Sequence, residues 1–423
     1  MKRALTSGMM SAALFAVEVL VGTGIAAAQD VWGAIVAWGW NADGQCNVPS
    51  PNTAFVAVAA GHTHSLGLKA DGSIVAWGAN PCGECNVPAP NTGFVAVAAG
   101  TDQSLGLKAD GSIVAWGLDN FGQCSVPAPN TGFVAVAAGG FHSLGLKADG
   151  SIVAWGRKDY GQCSVPAPNT GFVAVGANNE HNLGLKADGS IVAWGWNSNG
   201  QCDVPEPNTG FAALATGHAH SLGLKADGSI VAWGDNSFGE CNVPAPNTGF
   251  VAVAAGGSHS LGLKGDGAIV AWGYNGLGEC NVPAPNTDFV AVVAGGGSHS
   301  LGLVVPPDCN HNGILDEGDI ATGTSHDCNG NGIPDECDIA VGVLHDETGD
   351  GFADECQVGD TNCDGAVDFD DINPFVAALA SHDGYVSAYP NCVYENADCD
   401  GNGYVDFDDI NPFVACLVGG GCP

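Results

Sequence analysis

Five acidic loops hold most of the chemistry this chain could perform. In "DTNCDGAVDFDD" (360–371), oxygen-bearing side chains fall at loop positions 1, 3, 5, 9 and 12: Asp360, Asn362, Asp364, Asp368 and Asp371. "DCDGNGYVDFDD" (398–409) repeats the spacing with Asp398, Asp400, Asn402, Asp406 and Asp409. Upstream, "DCNHNGILDEGD", "DCNGNGIPDECD" and "DETGDGFADECQ" begin at 308, 327 and 346, 19 residues apart. The first two place Asp308, Asn310, Asn312, Asp316 and Asp319, then Asp327, Asn329, Asn331, Asp335 and Asp338, at the same loop positions. The third has Thr348 and Gln357 at two of them, so its set is incomplete. Hard oxygen donors at this spacing, with Gly at position 6, suit calcium, which is the expected cofactor.

Three other groups invite chemistry and resist it. His64, His142, His181, His220, His259 and His299, with Gln103 in the series, recur near-periodically. Zinc needs nitrogens about 2.0–2.1 Å away, and equivalent places around a ring are too dispersed to converge, so a hydrogen-bonding role is expected. His62 and His218, two residues before their neighbours in the series, add only a weak metal signal. Cys46, Cys85, Cys124, Cys163, Cys202, Cys241 and Cys280 recur every 39 residues and read as small hydrophobes rather than disulfide partners. Cys82 completes "CGEC", for which a local disulfide or no function at all is expected. Asp71, Asp110, Asp149, Asp188, Asp227 and Asp266 lie in "ADG" or "GDG" segments, ordinary turn chemistry rather than catalytic carboxylates. No enzymatic site is expected.

The elements that must carry these residues follow from one repeat. Trp38, Trp77, Trp116, Trp155, Trp194, Trp233 and Trp272 are 39 residues apart, and Phe55, Phe94, Phe133, Phe172, Phe211, Phe250 and Phe289 keep step. Such a period indicates a solenoid, propeller or array. Each unit reads as strand "FVAVAAG", strand "HSLGLK", turn, strand "SIVAWG", variable turn and short strand "QCNVP": four strands, one propeller blade. The first unit lacks its Phe strand and the last its Trp strand, so residues 31–48 and 289–304 are expected to build one blade together. The expected fold is an all-β seven-bladed β-propeller, followed by a small α calcium-binding domain.

Antiparallel strands put the first and third turns of a blade on one face, the second turn and the linker on the other. The second turns and linkers are nearly invariant, whereas the first turns ("GHTH", "GTDQ", "GGFH", "NNEH", "GHAH") and third turns diverge. The variable face is the expected binding surface. It would carry Trp40, Phe121, Phe141, Tyr160, Trp196, Phe238 and Tyr274, with Arg157, Lys158 and Asp235, a composition typical of protein interfaces.

Charge and termini narrow the setting. The formal net charge is −35, and residues 307–423 contain 25 acidic residues and no Lys or Arg. Such a tail repels nucleic acid and anionic lipid. Lys2 and Arg3 precede an apolar stretch ending in Ala26-Ala27-Ala28, the order of a secretory signal peptide cut before Gln29. No later run reaches the roughly 18 apolar residues of a membrane span. The expected division is a signal peptide (1–28), propeller (29–305), calcium repeats (306–357) and a terminal calcium module (358–423). An exported chain permits disulfides among its 17 cysteines. Cys309 with Cys328, and Cys337 with Cys356, are candidate staples between neighbouring repeats.

The repeat, as in "GGSHSLGLKGDGAIVAWGYNGLGEC", resembles that of the regulator of chromosome condensation family, in particular its shorter secreted bacterial form, of which beta-lactamase inhibitor protein II is the best known member. That resemblance spans about residues 31–305 and implies a propeller that binds protein. The 19-residue units resemble thrombospondin type 3 calcium repeats. The duplicated loop ending in Asp, followed each time by "INPFVA", resembles a dockerin with EF-hand loops. This implies ligand roles for the ten loop residues of 360–371 and 398–409, calcium-dependent folding, and a cohesin-like partner. Two functions from different classes remain: a secreted binding protein facing a protein or glycan and attached through its tail, or a dockerin-bearing polysaccharide-degrading enzyme or accessory component.

Overall fold

A computed structural model describes residues 33–304 continuously and, beyond them, 316–322, 324–325, 327, 334–341, 372–389, 397, 399 and 404–417. The chain forms two compact units, Met1–Pro306 and Pro307–Pro423. The segment 1–28, expected to be a signal peptide, lies outside the described residues, as do Asp308, Asn310, Asn312, Asn329, Asn331, Asp360, Asn362, Asp364, Asp368, Asp371, Asp398, Asp400 and Asn402, and Cys309, Cys328 and Cys356.

The first unit is a ring of seven antiparallel sheets. Blades 1 to 6 occupy residues 55–78, 94–117, 133–156, 172–195, 211–234 and 250–273, each with an inner, a middle and an outer strand. Blade 7 joins the two ends of the repeat array: Ala34–Gly39 forms its outer strand and pairs with His299–Val304, from Ala34 opposite Val304 to Gly39 opposite His299. Phe289–Ala294 completes that sheet on the inner side. The shared closing blade is therefore as the repeat pattern requires, and it covers the apolar faces that blades 1 and 6 would expose in an open array.

Each blade has three strands, not the four expected. The "QCNVP" segment has its backbone groups committed locally: Asn47 N–H donates to Gly44 O, Val48 N–H to Cys46 O, and Cys46 N–H to the Asn41 side chain. Pro49 and Pro51 have no N–H to give a ladder. The alternation that suggested a strand instead serves a turn and a linker.

Apolar side chains from neighbouring blades fill each gap. Leu66, Leu68 and Ile74 of blade 1 pack with Phe94 and Trp116 of blade 2, and equivalent clusters recur around the ring. The glycine of "LGL" makes room for the Phe: a Cβ on Gly106 would lie 2.4 Å from the Phe94 ring. The seven inner strands line a central channel of about 350 Å³ whose walls are almost entirely Val and Ala.

In the second unit, the copies of "INPFVA" open two helices, Ile372–Ala380 and Ile410–Leu417. Phe375 and Phe413 stack between them with centroids 3.9 Å apart and planes 8° from parallel. Ala378, Tyr385, Ala397 and Cys399 complete this small core. Two short helices, Asp316–Thr322 and Asp335–Val341, hold Asp316, Asp319, Asp335 and Asp338, all four buried. Cys337 on the latter is buried and disulfide-bonded. Among the described residues no helix is long and apolar enough to cross a membrane.

Replacing Trp116 by Ala removes a buried indole from one inter-blade cluster, and the expected cost is about 3–5 kcal/mol. Equilibrium denaturation of the variant beside the parent protein measures it, and a loss below about 1 kcal/mol would contradict the packing described.

Candidate binding face

Seven equivalent backbone hydrogen bonds tie third turns to first turns: Trp40 to Ser298, Ala79 to Thr63, Leu118 to Asp102, Arg157 to Phe141, Trp196 to Glu180, Asp235 to Ala219 and Tyr274 to Ser258. All the variable turns therefore share one face. On the opposite face the second turn meets the linker, as where Phe94 N–H donates to Gly72 O. There Lys108 Nζ sits 3.5 Å from the Phe94 ring centroid and donates to the carbonyls of Pro90 and Thr92. The invariant turn aspartates are occupied too: Ser73 donates to Asp71 through both N–H (2.8 Å) and Oγ (2.6 Å), which lowers the Asp71 pKa.

Each third turn is built on a polar frame. The tip residue donates its N–H to a buried side-chain oxygen, as Phe121 does to Gln123 (2.8 Å) and Phe238 to Glu240 (2.8 Å). An Asn or Asp at the turn's start accepts from the following Cys N–H in most blades. The repeating cysteines are half-buried rather than fully buried, and their Sγ–H groups donate to main-chain oxygens, as Cys85 does to Ala79 (3.2 Å). Burial pushes Cys85 up to about 11 and Cys124 up to about 12, so these thiols are poor nucleophiles. Cys82 and Cys85 are both free thiols, with no local disulfide in "CGEC".

The ten residues expected on this face fall into groups. Phe121 and Phe141 lie 5.5 Å apart, and the Arg157 guanidinium carbon is 5.3 Å from the Phe121 centroid and 5.5 Å from that of Tyr160. Arg157 is anchored by Asp159 (2.8 Å) and by Glu180 (2.6 Å), which also accepts from Gln162 (2.8 Å). Burial raises the Glu180 pKa, and the charge of Arg157 opposes that rise. Phe238 and Tyr274 form a second group, 5.0 Å apart. Asp235 is held by Ser237, whose hydrogen bond lowers its pKa. Trp40 and Trp196 are half-buried and make no ring contact among the described residues, while Lys158 is exposed. Sequence reasoning missed Asp159, Glu180 and Leu277. The signal for Glu180 was present, because "NNEH" is the one first turn with a carboxylate beside its His, and "RKDY" the one third turn with cations.

The histidines beneath this face form a hydrogen-bonded girdle. His64 meets Ser104 of the next blade at 2.9 Å, and likewise His142 meets Asn182, His181 Ser221, His220 Ser260, His259 Ser300 and His299 Ser65. Gln103 substitutes by donating to Gly139 O. The Ser65 hydroxyl proton goes to Gln45 O (2.9 Å), so His299 must donate from Nε2, leaving Nδ1 as a bare lone pair. Protonating Nδ1 would bury a charge with nothing to accept its proton. Burial accordingly lowers His64, His142 and His220 to about 4, and His181, His259 and His299 to about 3.

These imidazoles titrate near 6.5 when unfolded, so the unfolded chain binds more protons than the folded one below that value. Their contribution to stability is fully present above about pH 6.5 and is lost as pH falls through about 4 and then about 3. His220→Gln, which copies Gln103, should keep the fold and flatten the decline. Denaturant midpoints measured across this range test the point; parallel pH profiles for variant and parent would refute it.

Six segments match the regulator of chromosome condensation (RCC1) repeat: residues 55–84, 94–123, 133–162, 172–201, 211–240 and 250–279. A search of curated proteins returned no match. Solved structures share the fold. Prp20p from Saccharomyces cerevisiae, in a study of its binding to Gsp1p and histones, is 19% identical, with a TM-score of 0.56 over 67% of this chain and 93% of that one. Yeast RCC1 (Prp20) bound to Kap60 is 18% identical, TM-score 0.55, over 73% and 97%. Human WBSCR16 is 17% identical, TM-score 0.52, over 64% and 98%. The chain thus carries six RCC1 repeats, folded into a propeller of RCC1-like architecture.

Proposed function

We propose that this is an exported, non-enzymatic binding protein whose propeller recognises a macromolecular partner, protein or glycan, through its variable face. One observation carries the reading: sequence divergence and exposed aromatic side chains coincide on that face, while the opposite face is uniform and its Lys and Asp side chains are bound to their own turns. Clustered exposed aromatics indicate an interaction surface. RCC1-like neighbours are described with protein partners, Gsp1p, histones and Kap60.

The acidic tail is the attachment module in this proposal. Its ligand positions offer only oxygen donors, and Asp316, Asp319, Asp335, Asp338 and Asp409 are buried. Oxygen donors at loop positions 1, 3, 5, 9 and 12 are the set a hard cation takes, so the donor set fits calcium. Calcium would contribute folding free energy to the loops. The paired "INPFVA" helices, with Ile372, Val376, Ile410 and Val414 exposed, would then present the surface for a cohesin-like partner.

Capture from the producing organism's envelope fraction tests both halves. The parent protein should retain a partner that a Phe121→Ala/Tyr160→Ala/Phe238→Ala variant loses, and chelator should release only what the tail holds. Identical capture by parent and variant would overturn the assignment of the face. Calcium titration of the full protein, followed by helical circular dichroism, should show a gain absent with magnesium at the same concentration.

A further inference from the structure

The partner's chemistry can be narrowed further, on the reading above that the variable face is the recognition surface. Four large apolar side chains stand exposed at one equivalent place, the tip of the third turn: Phe121 (47%), Tyr160 (48%), Phe238 (55%) and Leu277 (48%). The same place holds Asp43, Cys82 and Asn199 in the remaining turns. The apolar tips therefore form two arcs, one after blades 2 and 3 and one after blades 5 and 6. Asn199 separates them on one side, Asp43 and Cys82 on the other.

Both arcs are braced. Phe121 leans on Phe141, with the Arg157 guanidinium between Phe121 and Tyr160, and Phe238 meets Tyr274 at 69° between planes. Held side chains lose little freedom on binding, which favours their use as anchors. Neither arc is a flat platform: the second pair is edge-to-face and continues into an aliphatic Leu277, geometry that suits apolar protein side chains better than stacked sugar rings.

Charge supplies the second constraint. The variable turns carry Asp43, Asp102, Asp119, Asp159 and Asp235, none of them buried, together with the buried Glu180. Their cations are Arg157, engaged by two carboxylates, and Lys158. The six lysines of the uniform turns lie on the opposite face and donate to Pro and Thr carbonyls there. An anionic partner would be repelled from the variable face, and a cationic one drawn to it.

We propose that the variable face docks a protein whose contact surface sets two protruding apolar clusters within a basic rim, each cluster seated on one arc. The test uses the full-length protein with calcium and a phage library of random dodecapeptides. Selected peptides should combine aromatic or aliphatic residues with Lys or Arg, and should bind roughly tenfold more weakly to Tyr160→Ala or Phe238→Ala. Asp43→Asn/Asp119→Asn should weaken them further, and added salt should do the same to the parent. All four sites are exposed or in turns, and unchanged thermal unfolding checks that the variants fold. Enrichment of acidic peptides, an empty selection, or peptides indifferent to these substitutions would overturn the proposal. Tyr160-dependent binding on a neutral-glycan array, with no peptide enriched, would overturn this partner class and leave the recognition face standing. Peptides and glycans both indifferent to every face substitution would overturn the two together.

Discussion

One carbonyl per blade joint governs the ring. The indole N–H of every repeat Trp donates to the main-chain oxygen of a Gln or Glu contributed by the preceding joint: Trp77 to Gln45, Trp116 to Glu84, Trp155 to Gln123, Trp194 to Gln162, Trp233 to Gln201, Trp272 to Glu240 and Trp38 to Glu279, all at 2.7–3.0 Å. A buried indole without an acceptor is costly, so the Trp strand and the preceding "GQC" or "GEC" segment must keep a fixed separation. That requirement explains a 32-residue interval held at six joints, and at the seventh, where the ring closes, the same contact spans 241 residues. The same oxygen accepts the hydroxyl of Ser65, Ser104, Ser143, Ser221, Ser260 or Ser300 in its own joint, and Asn182 takes that role in blade 4. Through those groups the histidine girdle is locked to the indole contacts. Packing, polar satisfaction and ring closure are thus one arrangement repeated seven times.

Much of this was legible in the residues. The 39-residue beat of Trp and Phe gave the blades, and the missing strands at either end of the array gave the shared blade. Antiparallel geometry sorted the turns onto two faces, and the grouping of Phe121, Phe141, Arg157 and Tyr160 follows from it. What failed did so for local reasons. "QCNVP" has the alternation of a strand, but Asn side chains and prolines remove its backbone from any ladder. Glu180 escaped notice because its importance comes from burial and from Arg157, 23 residues away, which no local pattern reveals. Leu277 was passed over because it is aliphatic in a series read for aromatics.

The histidines show how identical residue types can mean different things. Six imidazoles recurring in a ring suggest a metal centre when counted, yet each is consumed by a single neighbour on the next blade. Their protonation state is set by what Ser, Asn and Gln do with their own protons. Gln103, which donates to the next blade's main chain instead and does so without any titration, indicates that the position needs a donor rather than an imidazole. The girdle therefore couples the propeller's integrity to acidity.

The frame beneath each third turn has a broader implication. Because a tip amide is held by the buried Gln or Glu of its own turn, and the turn's start is held in most blades by its own Asn or Asp, the backbone of every loop is seated from within its own turn, even where the side chains of adjacent loops touch. Swapping one loop's side chains need not disturb the next socket. Architecture of this kind is a rotary display board: new specificities can arise by editing one position at a time, and a loop transplanted between sockets should arrive in the same pose.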